Sequence, residues 1–337
     1  MKFKCIKIKS LIKAIAIVSF ISFSQHIPVA TADTPAGQAG AFLRMGIGAR
    51  AIGMGNALTG LARDGFAGYY NPASLPFMKR PELVFSLGLL SLDRKQNFIG
   101  FSTFLQPKSK VDTLSTNGNV FRGGIAFGWI HAGISDIDGR DSDGNHTGML
   151  SNTENAFFAS FALQPKEYIG IGLTVKIVQN RLPGLEKDEG TLSANGLGFD
   201  LGLFSEPMTN LTLGLVVKDI NTKYTWDTEN VFARGSRTID EFPMLVRFGG
   251  AYKFQQETLL SMDAEFNEEQ GWRIFLGGER EFRESFTARA GYNSDRLTFG
   301  FGVQFNIWNF KGELDYAYDT ISITPNAEQH ISWRLIF

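Results

Sequence analysis

Cysteine is almost missing: Cys5 is the only one in 337 residues. No disulfide can staple such a chain, and neither a cysteine-ligated zinc site nor a thiol nucleophile can be built from it. Histidine is scarce as well, at 4, and no HExxH pair or serine nucleophile motif accompanies it, so an enzyme is not expected. Proline, at 11, is too sparse and the apolar content of 43% too high for a disordered chain. Neither sign of charge dominates, with 33 basic against 34 acidic residues, which argues against a nucleic-acid partner because that needs a basic surface. Nor does any apolar run reach the roughly 20 residues of a membrane-spanning helix.

The first residues have a separate logic. MKFKCIKIKSLIKAIAIVSFISFS sets Lys2, Lys4, Lys7, Lys9 and Lys13 ahead of a short apolar run, Ala14 to Phe23. Ala30-Thr31-Ala32 then supplies a small-x-small cleavage site, so residues 1–32 read as a secretory signal peptide. Without its five lysines the chain holds 28 basic and 34 acidic residues, a net charge of −6, and no cysteine.

What the chain has in abundance is glycine, at 37, and phenylalanine, at 30. Beyond residue 80 they fall into strict alternation. In VFRGGIAFGWI (120–130), Phe121, Ile125, Phe127 and Trp129 share one face, against Arg122, Gly124, Ala126 and Gly128. IGIGLTVKI (169–177), NGLGFDLGLF (195–204) and LTFGFGVQF (297–305) repeat the pattern. Period two over this length is the strand signature. About fourteen such segments follow one another between residues 82 and 337, most of roughly 9 to 12 residues, the length a tilted strand needs to cross a bilayer.

The two faces decide what kind of sheet this is. One is Leu, Ile, Val and Phe, with Trp129, Trp272, Tyr316, Tyr318 and Trp333 as candidates for interfacial girdles. The other is mostly Gly, Ala, Ser and Thr, with charges of both signs: Arg122, Lys176, Asp200, Lys218, Arg247, Asp263, Glu265, Arg289, Glu313 and Asp315. A soluble double sheet or propeller would put its charged face to water. Apolar outside and small or polar inside is the pattern of an outer-membrane barrel, whose closure satisfies every strand edge. The sequence therefore predicts an all-β, transmembrane antiparallel β-barrel of about 14 strands over residues 81–337. The segments 131–154, 180–192 and 220–243 are expected as external loops, and an even strand count puts both barrel ends on the periplasmic side. The chain closes on QHISWRLIF. Its terminal Phe337 resembles the signal by which the assembly machinery of the outer membrane receives barrels.

Residues 33–80 carry no strand, and a wall of Gly and Ala would enclose an open lumen, so this segment is expected as a plug. GIGARAIGMGNALTG (46–60) has the glycine spacing of a phosphate loop, but it follows no strand, and Gly53 is followed by Met54-Gly55 where a Walker loop has Lys-Ser or Lys-Thr. No nucleotide or other cofactor is expected. In GYYNPASLP (68–76), Asn71 suits a helix cap and Pro72 the first helical position.

The stretch GIGARAIGMGNALTGLARDGFAGYYNPASL resembles the N-terminal signature of the PorV/PorQ family of outer-membrane proteins, which are similar to FadL-type transporters of fatty acids and toluene. The resemblance implies that residues 33–80 form a hatch inside the barrel. It places the hatch motif at Gly46, Gly48, Arg50, Gly53, Gly55, Asp64, Asn71, Pro72 and Ala73, with Asn71-Pro72-Ala73 as the FadL-like element. The family's acidic pair appears here as Arg63-Asp64-Gly65.

Two functions follow from the resemblance. One is a type IX-like secretion accessory that hands exported cargo proteins on at the cell surface, through the external loops. The alternative is a FadL-like channel for long-chain fatty acids or other small hydrophobic compounds. Phe98, Phe101 and Phe104 place aromatics on both faces of one strand, a fragment of an apolar lining. The expected setting is the outer membrane of a diderm bacterium, with lipid and the assembly machinery as partners. DIDGRDSDGN (136–145) is rich in oxygen ligands but fits no EF-hand frame, since Asp141 or His146 falls where Gly belongs; a solvated turn is expected there, with a loosely bound surface Ca²⁺ as the alternative. Glu313 and Asp315, with Lys311 beside them, are expected in a lumen ion-pair network.

Overall fold

The computed structural model describes residues 38–106, 122–140, 143–182, 191–227, 235–255, 257–282, 285–307, 310–320 and 327–337. The signal-peptide segment and its cleavage site lie outside the described residues.

The barrel strands are β1 (Glu82–Leu89), β2 (Lys95–Leu105), β3 (Arg122–Arg140), β4 (His146–Lys166), β5 (Ile169–Leu182), β6 (Leu192–Met208) and β7 (Leu211–Ile220). A short hairpin follows, β8 (Lys223–Asp227) and β9 (Arg237–Glu241). The barrel resumes with β10 (Leu245–Phe254), β11 (Thr258–Asn267), β12 (Gly271–Phe282), β13 (Phe286–Asn293), β14 (Arg296–Ile307), β15 (Phe310–Asp319) and β16 (Glu328–Ile336). Each pairs antiparallel with its neighbour; β1 pairs β16, β10 pairs β7, and β5–β6 completes the ring. The result is a closed antiparallel barrel of fourteen strands. No helix among the described residues is long and apolar enough to cross a membrane.

Alternation places the side chains as their chemistry requires. Leu197, Leu201 and Leu203 of β6 are exposed on the outer face, whereas Asp200 and Phe204 between and beside them are buried inside. On β14, Leu297, Phe299, Phe301 and Val303 face out, and Thr298 faces in, fully buried. Trp129, Trp272, Tyr318 and Trp333 also stand exposed on the outer face. An Arg at Leu201, 51% exposed, is therefore expected to destabilise the barrel in bilayers by about 2–4 kcal/mol if the position lies near the midplane. Urea titration of lipid-reconstituted protein checks this.

We call the end where β1 starts and β16 finishes the turn end, and the opposite one the loop end. At the loop end the structure departs from the sequence reading in two places. Strands β3 and β4 run on to Arg140 and from His146, so most of 131–154 is a projecting hairpin, with a register shift between Ile134 and Ile137. Alternation vanishes there because both faces of the projection meet solvent, so no apolar face marks the strands. In the second place, part of 220–243 turns inward. The chain leaves β7 through Asp219 and Asn221, both at positive φ, and crosses the inner face of β6 at Gly198 and Gly196. A Cβ at Gly198 would overlap Thr222, and one at Gly196 the carbonyl of Lys223. Strand β8 then pairs with β6 through Ala194↔Trp226 and Asn195↔Thr225.

Candidate functional site

Residues 38–80 lie inside the barrel, and their fold is dictated by the wall. Their helices are short, Ala49–Gly53 (α1) and Ala67–Tyr70 (α2), with 3-10 turns at Ala41–Leu43 and Pro72–Phe77. Helices of one turn are not stable alone; here they are held by what surrounds them. The segment touches every one of the fourteen strands. Side-chain hydroxyls do part of this: Ser86 (β1) and Ser332 (β16) accept from the amides of Gly48 and Ala49 at 3.2 and 3.0 Å. Ser102 (β2) and Ser160 (β4) donate to the carbonyls of Gly65 and Gly68 at 2.9 and 3.2 Å. Thr298 (β14) accepts from Gly55 at 3.1 Å, and Asp263 (β11) from Thr59 at 2.9 Å.

Wall glycines do the rest. A Cβ at Gly124 (β3) would stand 2.5 Å from that of Leu75, one at Gly172 (β5) 2.5 Å from the Ala73 amide, and one at Gly277 (β12) 2.5 Å from the Met54 carbonyl. Gly202 (β6), Gly214 (β7) and Gly291 (β13) meet Asn71, Thr59 and Gly55 in the same way. Gly249 (β10) lies against Gly60, and Ala317 (β15) against Ile52. In the plug itself, Gly55 needs to be glycine twice over: its φ is +60°, and a Cβ would lie 2.5 Å from the Leu276 carbonyl. Gly48, at φ +87° as the cap of α1, closes on the Phe66 ring. Gly46 meets the Asn56 side chain and Gly53 meets Gly300. Gly53 and Gly55 thus pack backbone on wall backbone, while Gly46 and Gly48 admit side chains of the plug itself.

Charge fixes the plug at one side. Arg50 on α1 grips Glu279 (β12) with two bonds of 2.9 Å and Asp64 of the plug with one of 2.8 Å. Burial opposes its charge, but Glu279 and Asp64 outweigh burial and hold the guanidinium above its ordinary pKa. Arg289 (β13) bonds the same Glu279 at 2.7 Å, then Asp315 at 2.6 Å and Glu313 at 3.2 Å on β15. Arg334 (β16) pairs with Glu313 and stands 3.7 Å from both Asp64 and Glu82. Glu82 (β1) accepts from the Gly65 amide at 2.8 Å. Glu313 and Asp315 do enter a lumen network, but their partners are Arg289 and Arg334 rather than Lys311.

Asn71 holds the plug on the other side. Fully buried, it donates through Nδ2 to the carbonyls of Thr59 at 3.0 Å and Leu203 of β6 at 2.9 Å, and accepts from the Ala73 amide at 3.1 Å. One side chain caps the Pro72–Phe77 turn, ties two parts of the plug together and reaches the wall. Pro72 opens the turn, and Ala73 lies flat on Gly170 and Gly172. Asn71→Ala should expose the upstream plug amides to faster hydrogen exchange, since each orphaned buried polar group costs about 1–3 kcal/mol. Asn71→Asp should do so more, because a carboxylate then faces the two carbonyl oxygens that Nδ2 served.

On the β2–β6 side the lumen filling becomes apolar toward the loop end. Phe42, Leu43, Phe98, Ile130, Phe158, Val178, Tyr224 and Phe242 form one buried cluster. Phe98 and Phe104 face inward and Phe101 outward; Phe98 lies between Phe66 and Phe158, its ring centroid 5.6 and 6.0 Å from theirs. Tyr69 and Tyr70 anchor the plug backbone at 2.7 and 2.9 Å to the carbonyls of Leu43 and Ile47, and burial pushes both phenols upward in pKa. Arg44 binds the carbonyl of Pro243 at 3.4 Å and pairs with Asp219 at 3.9 Å, joining the plug to the inward-turned chain.

The remaining sequence candidates lie elsewhere. Phe337 packs edge-on against Phe310, ring centroids 5.1 Å apart, at the turn end. His131 bonds Asn155 at 3.0 Å beside Trp129. In the 136–145 loop, Asp138 is taken by Arg140 and His146, each at 2.6 Å, while Asp141 and Ser142 lie outside the described residues. No group of metal ligands occurs among the described residues. Glu82, Glu279 and Arg334 were not singled out from the sequence. Arg334 was readable, because it alternates with the outward Trp333; Glu279 was obscured by the inward Phe275 on its own strand.

A barrel of this kind, filled by its own N-terminal segment, has the fold of FadL-type outer-membrane transporters. The toluene transporter TodX of Pseudomonas putida superposes with a TM-score of 0.55 at 14% identity, covering 86% of this chain and 96% of that one. The toluene transporter TbuX of Ralstonia pickettii gives 0.54 at 14% identity, over 86% and 97%. A FadL homologue of Pseudomonas aeruginosa gives 0.54 at 12%, over 86% and 97%. No family model matches the chain, and no curated protein matches it in sequence.

Proposed function

We propose that this protein is a non-enzymatic outer-membrane channel for small hydrophobic compounds, closed at rest by residues 38–80 acting as a hatch. The observation that carries the reading is the lumen itself. On the β2–β6 side its loop-end half is lined by aromatic and aliphatic side chains, with Phe42, Phe98, Phe158 and Phe242 all less than a tenth exposed. The opposite side carries ion pairs such as Arg247–Glu265 and Arg296–Asp319. The ionic groups of the lumen lie in clusters of both signs rather than rings of one, which is no selectivity filter for ions. The solved structures it resembles include transporters of toluene. The secretion reading draws on the motif of residues 46–75 alone, and nothing in the lumen favours it.

Uptake into proteoliposomes tests the proposal. Radiolabelled toluene or oleate should enter vesicles carrying the protein faster than protein-free vesicles, and glucose should not. Equal rates for all three would overturn it. Loss of surface proteins from a deletion strain, with unchanged hydrocarbon uptake, would favour secretion instead.

A further inference from the structure

Strand β8 brings one residue to an unusual place. Tyr224 is 1% exposed, although it belongs to a two-strand hairpin whose other member, β9, is exposed at every residue. Its ring sits 4.8 Å edge-on from Phe242 and 5.9 Å from Trp226. The wall at this level sets one carboxylate among short side chains. Glu154 on β4 pairs in register with Asn180 on β5, and Asn180 with Ala194 on β6. One step deeper stand Ala156, Val178 and Gly196. The phenol oxygen of Tyr224 reaches Glu154 at 3.3 Å, and the Asn180 amide reaches the same carboxylate at 3.4 Å. No cation lies within ion-pair distance of Glu154 among the described residues, in contrast to Glu265, Glu279, Glu313 and Asp315, each of which is bonded by an arginine.

A carboxylate without a cation, at the head of a slot lined by alanine and glycine and closed by aromatic rings, is complementary to a flat ring bearing a hydroxyl donor. The strand that fills it has little backbone pairing with the barrel. Strand β8 meets the barrel wall through only two register pairs, and the return of the chain is fixed by the Phe242 amide on the Thr222 carbonyl at 2.9 Å.

We infer that the slot between Glu154, Asn180, Ala194 and Phe242 is a binding site for phenolic compounds, and that Tyr224 occupies it as a built-in substitute until ligand displaces the hairpin. This deepens the channel reading and rests on it for the presence of ligand in the lumen, but the site is tested by binding rather than by flux. A phenol replaces the Tyr224 donor to Glu154, whereas toluene leaves that carboxylate with the Asn180 amide alone, and a hydrogen bond to a charged group discriminates by about 10-fold or more.

The experiment uses the full chain in lipid nanodiscs, with p-cresol and toluene as probes and Trp226 fluorescence and calorimetry as readouts. Wild type should bind p-cresol about 10-fold more tightly than toluene, and Tyr224→Ala should bind p-cresol more tightly than wild type because nothing need be displaced. Glu154→Leu should bind both probes alike. Asn195→Cys with Thr225→Cys joins a register pair of β6 and β8, at the spacing a disulfide accepts. The oxidised pair should bind no p-cresol, and reduction should restore binding. The inference is overturned if the oxidised protein binds as the reduced one does, or if Glu154→Leu keeps the preference. Should Tyr224→Ala fail to fold, the disulfide arm decides. Toluene flux through the reduced protein is measured in parallel: the binding pattern without flux removes the channel reading and leaves the site, while flux without the pattern removes the site alone.

Discussion

Replacing Arg50 by alanine is expected to open the barrel. Arg50 is the one cation that the plug contributes to a buried cluster holding Asp64, Glu82, Glu279, Glu313 and Asp315, with Arg289 and Arg334 on the wall. Five carboxylates already face three guanidiniums there, so losing one strips Glu279 of its bidentate partner and Asp64 of its nearest. Breaking a buried ion pair from one side costs about 3–5 kcal/mol, because the remaining charge stays buried. The barrel ladder does not pass through Arg50, so the penalty falls on seating of the hatch. Hydrogen exchange across residues 46–70 should rise by orders of magnitude while the strands stay protected, and planar bilayers should record ion current that wild type lacks. Arg50→Lys should recover little of the closed state, since a lysine cannot form the paired bonds that a guanidinium makes with Glu279.

The second large effect separates two adjacent glycines of β12. Gly277 faces the lumen, where a Cβ would lie 2.5 Å from the Met54 carbonyl; Gly278 faces out, where the nearest atom would be a Leu260 methyl at 3.6 Å. Gly277→Val therefore drives a branched side chain into backbone that has no rotamer to yield, and overpacking of this kind costs about 1–3 kcal/mol or more. Gly278→Val adds an apolar β-former to a lipid-facing position and should leave folding unchanged. Semi-native electrophoresis distinguishes them: Gly278→Val should keep the compact, heat-modifiable band, and Gly277→Val should lose it or bind the hatch loosely enough to conduct ions. Equal behaviour would mean that the hatch does not press on this wall.

How much of this could be read in the sequence depends on which physical constraint was acting. Inside the bilayer, one face must be apolar and the other must admit a plug, so the alternation of Leu197, Leu201 and Leu203 with Gly196, Gly198 and Gly202 gave away strand, face and barrel at once. Above it that constraint lapses. The β3–β4 projection looked like loop because Asp138, Arg140 and His146 share one solvated face and Ile137 and Met149 are exposed as well, so no apolar face marks the strands. Strands β8 and β9 were hidden because each has only five residues, too few for a period, and β9 is polar apart from Ile239.

The hatch shows the same division. Its small residues announced close packing, but its path past every strand is set by contacts between residues as far apart as Ala49 and Ser332, and no local pattern carries those. Inward charges such as Arg289, Glu313 and Asp315 were legible one by one from the period of their strands. Their pairing was not, because closure of the ring gathers β12, β13, β15 and β16 into one charge cluster with an arginine of the plug. The inward hairpin left a trace in Gly196 and Gly198, which could equally have faced an empty lumen.

The account depends most on residues 38–80 closing the pore, and single-channel recording of the protein with and without that segment tests it directly. Wild type in a planar bilayer should carry no steady ion current, and the deletion should form a stable, weakly selective pore as wide as a fourteen-strand barrel allows. A deletion that inserts as a folded barrel and still carries no current would contradict the account, as would a wild type that already conducts like an open porin.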